Sequence, residues 1–223
     1  TSTVENYCQK NKFWPELLIL VDNGIVAQKE IKKLKKKINK IIVIDHHIKN
    51  DLKNEADAVI HSEINRDGKI DITCGSYWYE APAWTQHKLR EVAIEGEYAS
   101  NYGEYAMDVN RDGWPDIVSG GWFTPIMSWF EHPGGDHLDQ LWKQHVIADD
   151  LGSTEGILLR DVDYDGRPDI LVNRYDDTQP VAYFAYVGLE KSESGFERRI
   201  LGAEGRGHGA GIGDINGDGR DDV

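Results

Sequence analysis

Two unlike patterns of apolar and polar positions divide the chain. In the first stretch, Leu17-Leu-Ile-Leu-Val21 and Ile41-Ile-Val-Ile44 are uninterrupted apolar runs of strand length, as in strands buried on both faces. Between them, Val26 to Lys40 sets Ile31, Leu34 and Ile38 on one face among lysines, which predicts an amphipathic helix. Strand, helix and strand with a short return predict a βαβ unit. Asp22 and the cluster Asp45-His46-His47 follow the two strands directly. They then stand at carboxyl ends of parallel strands, where open α/β sheets place ligands.

From about residue 61 the pattern changes. Asp116-Ile-Val-Ser-Gly-Gly-Trp122 and Asp169-Ile-Leu-Val-Asn173 are short, β-branched runs bounded by Gly or Asn, and predict strands. A second family of segments alternates polar with apolar residues: Trp84-Thr-Gln-His87-Lys-Leu, Trp142-Lys-Gln-His145-Val-Ile and Phe196-Glu-Arg-Arg-Ile-Leu. These predict strands with one solvated face. The two kinds of segment recur in phase, and between them sits a repeated motif, acid-x-Asn/Asp-x-Asp-Gly-x-x-Asp. Its four copies use Glu63, Asn65, Asp67 and Asp71; Asp108, Asn110, Asp112 and Asp116; Asp161, Asp163, Asp165 and Asp169; and Asp214, Asn216, Asp218 and Asp222. Their starts lie 45, 53 and 53 residues apart, a spacing typical of repeat architectures.

Composition sharpens the division. The 223 residues are 39% apolar and 29% charged, with a formal net charge of −14, which suits a globular chain and excludes collagen and low-complexity classes. Residues 1–60 hold 11 Lys, no Arg and 8 acids, a net of +3, so residues 61–223 carry −17. The shift predicts two units, 1–60 and 61–223, meeting at a natural or artificial junction. An acidic surface repels phosphates, which argues against nucleic acid as a partner of the second unit. No apolar run is long enough to span a bilayer. No leader pattern follows Thr1, so the chain is expected to be a processed product or a fragment. Cys8 and Cys74 are too few for a disulfide framework and are expected to be small, incidental residues.

The repeated motif carries specific chemistry. Oxygens at positions 1, 3 and 5, a backbone carbonyl at 7 and a carboxylate at 9 converge on one point, and Gly at 6 permits the positive φ of a tight turn. Hard oxygen donors in a flexible loop suit Ca²⁺ rather than Zn²⁺. The alternative for any single copy is an acidic hairpin that turns without metal; four copies favour metal. An EF-hand is excluded, because it needs Glu at position 12, where Cys74, Ser119 and Val172 stand in the first three copies. Strands rather than helices flank each loop, so each loop is expected to join a hairpin.

On these four motifs, residues 61–223 resemble the FG-GAP/VCBS-type repeats of β-propeller proteins. The resemblance implies four-stranded blades, with the calcium loop between the two inner strands, and an extracellular or periplasmic location. At this period the chain supplies about three blades. The expected fold class is therefore mainly β, a partial β-propeller behind an N-terminal α/β segment.

Val21-Asp-Asn-Gly24 and Asp45-His46-His47 resemble motifs of the DHH phosphoesterases, most closely the RecJ-type exonucleases, over about residues 17–60. That resemblance implies Asp22 and His46 as ligands of a Mn²⁺ or Mg²⁺ pair, with Asp45 and His47 beside them, and a cytoplasmic location. The upstream Asp-x-Asp motif, the later Asp ligand and the substrate-binding domain of that family have no counterpart here. The first reading is thus a calcium-binding repeat module for binding or structural interaction, without catalysis in this chain. The second is a metal-dependent phosphodiesterase fragment. A third is a carbohydrate-active propeller. There the repeat aligns Tyr102, Glu155 and His208 at one channel mouth as catalytic candidates, and Trp78, Trp122 and Trp129 either stack on sugars or pack the blades.

Overall fold

Strand-forming, period-two segments account for most of the observed architecture. A computed structural model describes residues 2–14, 17–21, 33–38, 40–44, 61–96, 98–135, 137–174, 180–203 and 210–223. The chain begins with a helix that the sequence pattern did not announce, α1 (Ser2–Asn11), on which Cys8 is buried. Strands β1 (Leu17–Val21) and β2 (Lys40–Ile44) pair in parallel, from Leu17 beside Lys40 to Val21 beside Ile44. Most of the expected helix between them lies outside the described residues; within it, Leu34 and Ile38 are buried. Both cysteines are free. Among the described residues, no helix is long and apolar enough to cross a membrane.

Three four-stranded antiparallel sheets follow. The first contains β3 (His61–Ser62), β4 (Asp71–Cys74), β5 (Tyr77–Glu80) and β6 (Thr85–Lys88), in that order. A two-stranded ribbon, β7 (Ile94–Glu95) and β8 (Tyr98–Ala99), leads to the second. That sheet is β9 (Glu104–Met107), β10 (Asp116–Ser119), β11 (Met127–Glu131) and β12 (Lys143–Ala148). The third is β13 (Thr154–Arg160), β14 (Asp169–Arg174), β15 (Val181–Tyr186) and β16 (Phe196–Gly202). Each is an up-and-down meander of blade-like form. In each, the nine-residue motif joins the first strand to the second, as the flanking patterns predict.

Alternation of side chains across each pleat decides how the sheets stack. In the second sheet, Ile117 and Phe130 cluster with Ile64, Trp78 and Leu89 of the first sheet and its exit. Their neighbours Val118 and Trp129 cluster with Ile157, Ile170 and Phe184 of the third. Ile117, Val118 and Trp129 are all fully buried, so the central strands of this sheet are apolar on both faces because both faces meet a sheet. Trp78 is 1% and Trp129 0% exposed, which places them in the packing between sheets and not on a sugar-binding surface. Each lies against a histidine of the outer strand: Trp78 on His87 at 4.3 Å and Trp129 on His145 at 4.0 Å, with the rings stacked nearly parallel. The histidines of the recurring Trp-x-x-His segments are the outer members of these cross-strand pairs, whereas their inner partners, Trp78 and Trp129, lie outside those segments.

Candidate metal loops

Each motif folds by satisfying its own backbone. In the second copy, Asp108 accepts hydrogen bonds from Asp112 N at 3.1 Å and Gly113 N at 3.0 Å. Asn110 Oδ1 also accepts from Asp112 N at 3.0 Å, and Asp112 Oδ1 accepts from Trp114 N at 2.7 Å. The third copy repeats this set, with Asp161, Asp163 and Asp165 receiving the N–H groups of Asp165, Gly166 and Arg167. The fourth does the same with Asp214, Asn216 and Asp218. In the first, Glu63, Asn65 and Asp67 accept from Gly68, Asp67 and Lys69. Positions 1, 3 and 5 thus accept from the loop's own backbone in every copy. The glycine at position 6 has φ between 83° and 86° in all four copies.

Position 4 is also left-handed: Arg66 (φ 59°), Arg111 (63°), Tyr164 (60°) and Gly217 (79°). Such a conformation is uncommon for residues other than glycine. The motif as read from the sequence leaves this position blank. Gly217 was the one available signal, since only there does the repeat use the residue that adopts the conformation at no steric cost.

The ninth residue behaves unlike the others. Asp71, Asp116 and Asp169 are 0–1% exposed, and each uses its two carboxylate oxygens as a clamp. One oxygen accepts from the backbone of loop position 2: Ile64 N at 2.9 Å, Val109 N at 2.8 Å and Val162 N at 2.9 Å. The other accepts from the end of the sheet's third strand: Ala81 N at 2.9 Å, His132 N at 2.8 Å and Tyr186 N at 2.9 Å. Burial raises the pKa of all three, that of Asp116 to about 7, against the pull of these backbone donors. The sequence motif offers this residue as a carboxylate ligand and gives no sign of its role as the joint between loop and sheet.

In the third loop one oxygen from each of Asp161, Asp163 and Asp169 lies within 4.8 Å of the other two. Converging carboxylates in a half-buried place repel one another. Basic side chains offset part of this: Arg199 Nη1 donates to Asp163 at 2.5 Å, and Arg167 pairs with Asp165, holding that carboxyl below its usual range. Lys69 does the same for Asp67. An all-oxygen donor set around an uncompensated negative charge fits a hard divalent cation such as Ca²⁺. It does not fit metals that select nitrogen or sulfur.

Residues 108–172 and 161–223 each match the FG-GAP-like repeat family, and together they span more than half of the chain. The chain belongs to the FG-GAP-like repeat proteins. Residues 1–100 match the DHH family, N-terminal domain. No curated protein and no solved structure gives a match. The FG-GAP-like matches start at the second loop, whereas geometry groups the first loop, 63–71, with the other three.

Of the remaining sequence-derived catalytic and metal candidates, Tyr102 and Glu155 lie among the described residues. Asp22, Asp45, His46, His47 and His208 lie outside the described residues. Tyr102 N donates to Gly120 O at 2.9 Å, and its ring is 5.9 Å from that of Trp122. Glu155 is half-buried on β13. Beside these two, the sheets approach closely: a Cβ on Gly103 would lie 3.0 Å from Ile157 N. Sequence reasoning missed Arg90, which is 5% exposed. Its guanidinium pairs with Glu104 and donates to Gly75 O at 2.7 Å and Asn101 Oδ1 at 2.8 Å. Those contacts fasten the exit of the first sheet to the entry of the second.

Proposed function

We propose that residues 61–223 form a calcium-stabilised partial β-propeller, serving as a module for binding or structural interaction, without catalysis in this chain. The observation that carries this reading is the cluster of Asp161, Asp163 and Asp169 within a loop whose hydrogen-bond pattern recurs four times. Asp161, Asp163, Asp165 and Asp169 would hold the ion, as would the corresponding residues of the other three loops. When bound, Ca²⁺ supplies positive charge that relieves repulsion among the carboxylates. The boundary falls near residue 60, and the repeat family favours an extracellular or periplasmic setting with a protein or carbohydrate ligand. Ion binding to the folded loops alone stabilises by RT ln(1 + [L]/Kd) per site, about 2.7 kcal/mol at a hundredfold excess over Kd. Millimolar Ca²⁺ therefore raises the melting temperature and EGTA lowers it. Identical melting curves in the two solutions would contradict the reading.

A second reading attaches to the N-terminal unit. The DHH match over residues 1–100 and the parallel β1–β2 pair favour a metal-dependent phosphodiesterase segment with Asp22, Asp45, His46 and His47 at its metal site and Mn²⁺ or Mg²⁺ as the cofactor. Manganese-dependent hydrolysis of single-stranded DNA that disappears in Asp22→Ala supports this reading. Equal hydrolysis by the two proteins removes it.

A further inference from the structure

The backbone atoms gripped by one clamp do not end at their own sheet. His132, whose N–H is held by Asp116, directs Nε2 at Ile64 O of the first loop, 3.0 Å away. Gly134 N donates to Nδ1 of the same ring at 3.0 Å, so Nδ1 is the acceptor and Nε2 carries the proton. Ile64 N is in turn held by Asp71. The next sheet repeats the connection with different chemistry. Tyr186, whose N–H is held by Asp169, donates its hydroxyl to Val109 O of the second loop at 2.7 Å. Val109 N is held by Asp116.

Read in order, Asp71, Ile64, His132, Asp116, Val109, Tyr186, Asp169 and Val162 form one unbroken path of hydrogen bonds through peptide units. Each bridging side chain reaches back to loop position 2 of the preceding sheet. Ile64, Val109, Asp71, Asp116 and Asp169 are at most 1% exposed, and His132 and Tyr186 at most 4%, so water does not compete for these groups and a lost partner is costly. His132 and Tyr186 touch no oxygen of positions 1, 3 or 5. They meet the loops through the residues that the ninth aspartates hold and through their ring faces, His132 stacked on Trp114 at 4.8 Å and Tyr186 against the Arg111 and Arg167 guanidinium groups at 5.5 Å.

We infer that His132 and Tyr186 are positioning residues that couple the first three loops, so that a cation held in one loop raises the affinity of its neighbour. This rests on the cation reading of the loops. A cation that fixes Asp169 fixes the Tyr186 backbone, and the Tyr186 hydroxyl then sets the Val109 peptide on which Asp116 of the second loop closes. Coupling of this kind is a reciprocal free energy between sites.

Terbium(III), a hard oxygen-seeking ion, tests the inference in the full chain, with luminescence excited through Trp114 at position 7 of the second loop and Trp114→Phe to assign the signal. Asp165→Asn removes a ligand charge from the third loop yet keeps an acceptor for Arg167 N. It is expected to lower terbium affinity at the second loop about fivefold. Tyr186→Phe keeps the ring packed on Phe196, 5.5 Å between centroids, and removes only the hydroxyl. It is expected to lower second-loop affinity by a similar factor and to make Asp165→Asn silent there. Should Tyr186→Phe not fold, the first link serves: the effect of Asp67→Asn on the second loop persists in His132→Gln, which keeps an N–H donor, and vanishes in His132→Phe. Equal second-loop affinities in the wild type, both single variants and the double variant overturn the coupling while leaving the cation reading intact. No Trp114-dependent signal in any protein overturns the cation reading and the coupling with it.

Discussion

The second and fourth loops share one spacing of acids and glycine and fold into one turn, yet their ninth residues live in different surroundings. Asp116 is fully buried, with one oxygen on Val109 N and the other on His132 N. Asp222 is half-buried, and the bond to its carboxylate is from Ile215 N at 3.0 Å. Val109 is 0% exposed, whereas Ile215, its counterpart, is 82% exposed. The difference separates two causes. Nine local residues suffice to form the turn and its inner hydrogen bonds. Burial of the ninth carboxylate goes with a third strand, as in the second and third loops, and full burial of position 2 with a neighbouring sheet, as at Val109.

The largest expected effect breaks this contrast directly. Asp116→Ala leaves two buried N–H groups without acceptors, at about 1–3 kcal/mol each, so about 3–5 kcal/mol of stability is lost. Asp222→Ala exposes its donor to water and costs under about 1 kcal/mol. Urea melts of the two variants measure the gap, and equal losses would mean that the clamp gains nothing from burial.

Acid reaches the same joint from the other side. Burial lowers the His132 pKa from 6.5 to about 4. Below pH 6.5 the unfolded chain takes up a proton at this residue that the folded chain refuses, so the His132 contribution to stability falls as the pH drops from about 6.5 to about 4, while Asp116, raised to about 7, acts in the opposite sense over the same range. The His132 shift corresponds to about 3 kcal/mol. His132→Gln, which cannot titrate, removes that share, so the variant gains stability relative to the wild type as the pH drops through this range. A curve of unchanged slope would show that His132 is not the group responsible.

A smaller effect compares the turn glycines. Gly113 and Gly219 both have φ of 86°, but a Cβ on Gly113 would also meet Arg66 Nη2 at 2.8 Å, while nothing lies within 4 Å of Gly219. Gly219→Ala is expected to cost about 1 kcal/mol from backbone strain alone. Gly113→Ala adds a few tenths more as Arg66 shifts from Trp114, over which it stacks at 3.7 Å. Chemical denaturation resolves the pair. A larger loss in Gly219→Ala would reverse the ranking.

The amino-acid pattern reveals whatever a local rule controls. Period two marked the strands, Asp-Gly marked the hairpins, and the run Leu17 to Val21 marked a strand of the parallel pair. What stayed hidden depends on partners distant in sequence. The acceptor of His132 is 68 residues away and that of Tyr186 is 77 residues away, and the two bridges use different side chains, so no repeat signal marks them. Arg90 likewise lies beyond any short motif, because its partners, Gly75 on one side and Asn101 and Glu104 on the other, come from two separate segments. α1 escaped notice because Ser2 to Asn11 has few apolar residues, and its stripe is too sparse to show a period.

A crystal structure of the full chain grown in millimolar CaCl₂, with anomalous scattering measured at a wavelength that marks calcium, tests the central claim most directly. The account predicts a peak at about 2.3–2.6 Å from oxygens of Asp161, Asp163, Asp165 and Asp169, with Arg199 displaced from Asp163, and equivalent peaks in the other three loops. Well-ordered loops without such peaks, and Arg199 still paired with Asp163, would contradict it.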